Sequence, residues 1–303
     1  MCETAVIGSG PAGLNAALYL KRAGKNVIII EKEYEGTGQI AQSICVGNYL
    51  GFPDISGEKL GEAFRRHAVS SGVPILEEEV TGIVHKDTWQ AVLASGKIVE
   101  AKTLIYAAGA VPRELGIPGE KAYQGKGISY CAYCDGSLFQ GKDTAVIGGG
   151  DTALDDALYL SDLCRKVYLI HRRTEFRGNP AAVELLRKRK NVEFLLKTSV
   201  REVRGQGKLE EAVLSDGRKI RINGLFAAIG STPLSDMIKD YVQRDENGYV
   251  IAGEDGATAS PGLFAAGDVR AKKLRQVITA VADGANAAVS AIQYMKLCKN
   301  EGG

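Results

Sequence analysis

At 303 residues, with hydrophobic side chains making up 45%, the chain is long enough for two domains of ordinary size with real cores. A formal net charge of +2 gives no reason to expect nucleic acid or an anionic membrane as partner. The longest apolar runs are strand-length, so no segment is expected to span a bilayer, and six cysteines in a chain this long do not make a disulfide scaffold.

Ala5 to Ile7 and Val27 to Ile30 are near-continuous apolar runs, as parallel strands buried on both faces should be. The first is under way so early that no signal peptide is expected. Between them Ala12 to Ala23 has helical spacing. The turn joining strand to helix reads Gly8-Ser9-Gly10-Pro11-Ala12-Gly13, a G-x-G-x-x-G. The first glycine makes the tight turn, the second admits a pyrophosphate, and the third lets helix and strand pack closely. The helix N-terminus then offers amide donors to phosphates. Glu31, at the end of the second strand, stands where an acid accepts from ribose hydroxyls. A glycine-rich turn with no ligand is the bland alternative; strand, helix and acid together argue against it.

Leu104 to Gly109 is a further strand-like run ending in Ala-Gly, which lets a cofactor approach the backbone. Val111-Pro112-Arg113 follows and reads as a linker. Cys131-Ala132-Tyr133-Cys134 is a C-x-x-C pair, with Asp135 adjacent as a possible proton donor or acceptor. Structural zinc is the rival reading; it needs two more ligands, and there is no second C-x-x-C or H-x-x-x-H. No metal is expected, and the pair reads as redox-active and intracellular, in the cytoplasm.

Thr144 to His171 then repeats Thr4 to Glu31 without a gap, 140 positions on, with 13 of 28 residues identical. An ungapped repeat of a whole βαβ unit is far stronger than a lone glycine motif. Gly148-Gly149-Gly150-Asp151-Thr152-Ala153 has alanine at the third glycine position. Where the first copy closes on Glu31, the second closes on His171-Arg172-Arg173, with Arg177 four residues further. A carboxylate there would repel a 2′-phosphate and arginines attract it, so NADPH is expected over NADH. A solvated basic turn is the bland alternative.

Leu225 to Gly230 and Leu263 to Asp268 are two more strands ending in small-residue turns, Gly230 to Pro233 reads as the second linker, and Gln276 to Lys299 is one long helix candidate. The simplest architecture inserts a smaller domain, 112–238, into a larger one made of 1–111 and 239–303. Both are α/β, Rossmann-like, three-layer dinucleotide-binding domains. Cys2, Cys45, Cys164 and Cys298 carry no signature, His67 and His85 read as surface or packing residues, and Trp89 lies in a polar stretch with no expected role.

At Tyr130-Cys131-Ala132-Tyr133-Cys134-Asp135-Gly136, followed by the second glycine turn and its arginines, the chain resembles low-molecular-weight, bacterial-type thioredoxin reductases. The likeness covers essentially the full length, including Gly38-Gln39-Ile40, Asn48 to Pro53, Gly267-Asp268 and Arg275-Gln276. It implies a flavoprotein homodimer in which an NADPH domain is inserted into an FAD domain. Carried over by position, Cys134 faces the flavin, Cys131 attacks thioredoxin, and Asp135 shuttles the proton. FAD is expected on Gly8, Gly10, Pro11, Ala12, Gly13, Glu31, Gly38, Gln39, Ile40, Asn48, Gly109, Gly267, Asp268, Arg275, Gln276 and Val277. NADPH is expected on Gly148, Gly150, Asp151, Thr152, His171, Arg172, Arg173, Arg177 and Gly230. The implied reaction is NADPH + H⁺ + thioredoxin disulfide → NADP⁺ + thioredoxin dithiol. Because dithiol and flavin belong to different domains, the inserted one is expected to rotate. The chain departs from the family at Thr37, at Gly47, where an acid is usual, and at Leu50, where proline is common. A ferredoxin or flavodoxin reductase of the same architecture, and a non-catalytic dinucleotide sensor, are the alternatives. The intact C-x-x-C argues against the ferredoxin/flavodoxin type.

Overall fold

A computed structural model describes residues 1–43 and 45–300. In chain order the first elements are β1 (Cys2–Ile7), α1 (Pro11–Arg22), β2 (Val27–Glu31), α2 (Gly57–Ser70), β3 (Ile75–Glu77), β4 (Val80–His85), β5 (Trp89–Leu93), β6 (Ile98–Tyr106) and β7 (Ala110–Pro112). Next come α3 (Glu120–Tyr123), β8 (Ile128–Ser129), α4 (Ala132–Asp135), β9 (Asp143–Ile147), α5 (Asp151–Leu163), β10 (Lys166–His171), α6 (Pro180–Arg187) and β11 (Val192–Leu196). The remainder are β12 (Val200–Arg204), β13 (Glu211–Leu214), β14 (Lys219–Arg221), β15 (Gly224–Ala227), β16 (Ser231–Pro233), β17 (Leu263–Ala265) and α7 (Val277–Asn300). The chain divides into two units, Met1–Val111 with Thr232–Gly303, and Pro112–Ser231.

In the outer unit β3, β2, β1 and β6 lie side by side, β17 pairs parallel with β6, and β5 and β4 extend the sheet antiparallel. The apolar residues of β1 and β2 are buried on both faces, as their unbroken runs required. One face is covered by α1 and α7, which bury Leu14, Ala17 and Leu20 against Ala287, Ala288 and Ala291. Those helices come close because a Cβ on Gly284 would stand 2.1 Å from the Ala12 carbonyl oxygen. The other face packs Ala5, Ile30 and Leu104 against the β4–β5 hairpin and residues Ile238 and Val250.

In the inner unit the parallel sheet runs β11-β10-β9-β15-β8. Helix α5 covers one face, burying Leu154, Ala157 and Leu160 on Val146, Leu169 and Phe226. The antiparallel sheet β12-β13-β14 covers the other, packing Val203, Ala212 and Leu214 on Ala145 and Ile170. Each unit is thus the expected three-layer α/β sandwich.

The structure changes one sequence expectation and adds detail to two others. The inserted unit ends at Ser231, not at 238, because Ile238 is wholly buried among outer-unit residues such as Ala5 and Val250. The two linker segments carry short strands, β7 and β16, which pair as a two-stranded sheet. Trp89 is not in polar surroundings; only 1% exposed, it fills the outer core and donates through Nε1 to the Pro261 carbonyl at 3.2 Å. Strand alternation in β5 turns its ring inward, and the His85 ring lies tilted against it with centroids 4.3 Å apart.

Candidate active site

The first glycine turn is held by its own sequence. Gly8 has φ +100°, and a Cβ there would lie 2.6 Å from the Ala107 carbonyl oxygen, so only glycine fits. A Cβ on Gly13 would lie 1.9 Å from the Gly8 oxygen. Gly10, by contrast, is not crowded: a Cβ there would make only ordinary contact, with the Thr37 carbonyl oxygen at 3.9 Å. Glu31 Oε2 accepts from the Ser9 N–H and hydroxyl, both at 2.8 Å, and that hydroxyl is also 2.6 Å from the Gly36 carbonyl. One carboxylate therefore ties the glycine turn to the following loop, where Gly38 approaches Gly10 closely.

Further parts of the outer unit converge here. Asn48 Nδ2 donates to Gln276 Oε1 at 2.8 Å, joining the 45–52 loop to the start of α7. Gly267 lies against Ala12. The Arg275 guanidinium lies 3.9 Å above the Tyr249 ring and donates to the Arg270 carbonyl at 3.2 Å. Ile40 is buried beside Val277, so it offers backbone rather than side chain. Gly109 faces open space. The observation that tests for a cofactor is Asp268: its Oδ1 is buried with no hydrogen-bond partner, among the described residues, and burial pushes its carboxyl up. A buried acceptor with no hydrogen-bond donor, facing only the Lys272 ammonium at 3.6 Å, fits a ligand rich in hydroxyls, as FAD is.

Sequence reading missed the support beneath Asp268. Asp283 accepts from the Gly267 N–H at 3.0 Å and pairs with Arg270 at 2.7 Å and Lys272 at 2.9 Å, while Lys272 lies 3.6 Å from Asp268. Asp283, Arg270 and Lys272 belong to no motif, so nothing in the sequence signalled them. The family departures are also accommodated. Thr37 is buried because residue 61 is glycine, any Cβ on which would strike its hydroxyl at 2.5 Å. A side chain at Gly47 would press on the Pro53 carbonyl at 3.2 Å, and Leu50 is 95% exposed.

The second turn keeps the frame. Gly148 N–H donates to Ile170 as Gly8 does to Ile30, at 3.1 and 2.9 Å. Gly150 and Gly230 face open space, Thr152 is exposed, and Asp151 accepts from the Asn179 N–H at 2.6 Å. His171 is placed beneath the turn rather than in the open: its ring lies where a Cβ on Gly149 would go, stacks on Phe176 and bonds the Glu175 carbonyl at 3.0 Å. Burial holds its imidazole below the usual range, and the three arginines push the same way. Arg172, Arg173 and Arg177 line a cavity of about 480 Å³ with Thr174, Glu175, Phe176 and Lys197. Lys197 was not read from the sequence. It follows β11 with a left-handed φ of 55°, its N–H directed to the Arg173 carbonyl at 3.4 Å.

Cys131 and Cys134 are joined by a disulfide, Cα atoms 5.3 Å apart. Cys131 caps the short helix α4, and the Cys134 N–H donates to its sulfur at 3.2 Å. Asp135 is half-buried, and burial pushes its carboxyl up, opposed by a 2.6 Å hydrogen bond from Ser129. Tyr133, half exposed, stacks on Tyr159 of α5 at 4.6 Å. On the same helix burial, helped by the neighbouring Asp155, pushes the Asp156 carboxyl up to about 7. Among the described residues no group of acids, cysteines and histidines could hold a metal, and no helix is long and apolar enough to cross a membrane.

Comparison with known proteins agrees with this geometry. Residues 2–284 match the family described as pyridine nucleotide-disulphide oxidoreductase. A thioredoxin reductase of Treponema pallidum (strain Nichols) is 38% identical over 304 residues, covering 98% of each chain. One of Bacillus subtilis (strain 168) is 35% identical over 300 residues, covering 97% of this chain and 95% of that one. The crystal structure of thioredoxin reductase from Streptococcus pyogenes MGAS5005 superposes with a TM-score of 0.92 at 36% identity, covering 98% of both chains. The chain is a member of the pyridine nucleotide-disulphide oxidoreductase family.

Proposed function

We propose that this protein is an NADPH-dependent flavoprotein disulfide reductase whose substrate is the disulfide of thioredoxin or a thioredoxin-like protein, acting in the cytoplasm as a homodimer. The observation that carries this reading is the Cys131–Cys134 disulfide with the half-buried Asp135 beside it, in the unit that also holds the arginine-lined cavity. FAD held on the first turn supplies, when bound, the two-electron relay from NADPH to that disulfide.

The chain's own residues do the rest. Gly10 and the N-terminus of α1 would receive a pyrophosphate, Glu31 would accept from a ribose, and Asp268 would accept from a hydroxyl of the cofactor. Arg172, Arg173 and Arg177, with Lys197 as a fourth cation, hold the 2′-phosphate, and His171 supports the turn from behind. Once the disulfide is reduced, the Cys131 thiolate attacks the partner disulfide and one partner sulfur leaves as thiolate. Asp135 gives that thiolate its proton. Cys134 then attacks the mixed disulfide at Cys131, re-forming the internal disulfide and freeing the second partner sulfur. The exposed Tyr133 flanks the pair where a protein substrate must come.

The purified protein should show a flavin spectrum that NADPH bleaches far faster than NADH does. A Cys134→Ser variant should trap thioredoxin as a mixed disulfide through Cys131. Trapping by Cys131→Ser instead would reverse the two roles, and a colourless protein would overturn the reading. Sedimentation at micromolar concentration tests the dimer.

A further inference from the structure

Ser129 ends β8, two residues before the first cysteine, and is 6% exposed. Its hydroxyl has three partners. It accepts from the Cys131 N–H at 3.0 Å, donates to Asp135 Oδ2 at 2.6 Å, and lies 3.2 Å from the Cys131 carbonyl. It carries one hydrogen for two acceptors. Asp135 has no other side-chain hydrogen bond among the described residues, and its Oδ1 is buried without a partner.

We infer that Ser129 is the positioning residue of the redox centre: its hydroxyl fixes Asp135 against the backbone of Cys131 and serves both protonation states of that acid. With Asp135 ionised, the chain runs from the Cys131 N–H through the serine O–H to the carboxylate, each bond polarising the next. With Asp135 protonated, the hydroxyl turns its hydrogen to the Cys131 carbonyl, and the acid proton lies toward the serine oxygen or is free to leave. A rotation of one O–H bond thus follows the proton, and no heavy atom needs to move. The proton itself stays on Asp135 until a thiolate takes it; Ser129 carries none.

Among the described residues no charged side chain shifts Asp135 beside burial and the serine bond. Helix α5, which packs against α4, carries Asp155, Asp156 and Tyr159, and these act on Tyr133 rather than on Asp135. β15, which pairs with β8, places only Leu225 and Phe226 beside it, and Tyr130 is engaged by Glu120 at 2.7 Å. Burial raises the Asp135 carboxyl and the serine bond is what opposes it. Removing the hydroxyl should therefore move the Asp135 titration to higher pH.

The inference rests on the disulfide-reductase reading, but its test reads the acid directly. In holoprotein labelled with ¹³Cγ-aspartate, the Asp135 signal is the one missing from Asp135→Asn. Its midpoint should rise in Ser129→Ala and return in Ser129→Thr. The kcat for thioredoxin reduction should fall about tenfold in Ser129→Ala, the low end of what losing one charge-assisted hydrogen bond implies, with KM for NADPH unchanged. If Ser129→Ala fails to fold, the isosteric pair Ser129→Thr and Ser129→Val makes the same comparison. A midpoint that stays or falls without the hydroxyl, or that threonine does not restore, overturns the inference. If the wild type reduces no protein disulfide, the functional reading fails while the titration still decides the role of Ser129.

Discussion

The two dinucleotide turns are the same object built twice and finished differently. Thr4 pairs with Val27 and Thr144 with Val167, so the strand register repeats with the same offset of 140 as the sequence. Leu14 donates to Gly10 at 3.0 Å and Leu154 to Gly150 at 3.2 Å. The differences fall at three places. Gly13 touches the Gly8 oxygen and cannot grow, whereas Gly148 is more extended, at φ 158°, and leaves room for the Ala153 methyl. Glu31 reaches back to Ser9, while His171 turns under Gly149 and leaves the surface to arginines. Ala16 is wholly buried as a methyl, and its counterpart Asp156 is buried as a carboxyl. The backbone frame is thus shared, and the exchanges between the two copies are confined to a few side chains.

The largest expected effect comes from exchanging the third motif residues. Gly13→Ala should abolish flavin retention, leaving less than roughly a tenth of wild-type absorbance per protein, because the methyl has backbone on its far side. Ala153→Gly should cost only about 1 kcal/mol in thermal stability. Equal tolerance at both positions would break the distinction drawn between the two turns.

Next is the charge exchange. Replacing Arg172, Arg173 and Arg177 together with alanine should raise KM for NADPH about a hundredfold and leave NADH little changed, as two lost charge-assisted bonds imply. Equal loss with both nucleotides would make the arginines structural. Lys197→Ala should weaken binding of 2′,5′-ADP by about three- to tenfold and leave 5′-ADP unaffected, measured by calorimetry.

Those sites differed in how visible they were beforehand. The glycines, the C-x-x-C and the arginines are local: their chemistry needs fixed spacing along one turn, and spacing is what a sequence displays. The glycine turn and its acid lie only 22 residues apart through Ser9 and Glu31, inside a single βαβ unit. Lys197, Asp283 and Trp89 act through residues brought from elsewhere, and Ser129 had no motif to mark it although it lies six residues from Asp135. The 238 boundary failed for the same reason, since the burial of Ile238 depends on partners such as Ala5, far away in sequence.

The smallest effect concerns stability and pH. Asp156 is raised from the ordinary carboxylate value to about 7, so the folded chain holds its proton where the unfolded one has released it. Its contribution therefore falls as pH rises from about 4 to 7 and is lost above that range. Asp156→Ala, which installs the first helix's residue, should raise Tm at pH 8 by about 5 °C, with the gain shrinking toward pH 4. A gain independent of pH would mean that Asp156 is not ionising in place.

The paired strands β7 and β16 make the inserted unit a cassette. The residues just inside its two ends are neighbours, the Arg113 N–H donating to the Gly230 carbonyl at 3.0 Å. In the outer unit, residues two positions from the cut ends are equally close, with the Leu234 N–H donating to the Gly109 carbonyl at 3.0 Å. Neither unit needs the other to bridge a gap, so little loop entropy is spent at the junction. A gene for this chain could be cut at Pro112 and Ser231, the middle expressed alone and the outside rejoined by a short turn, with every strand of each main sheet still beside its partner.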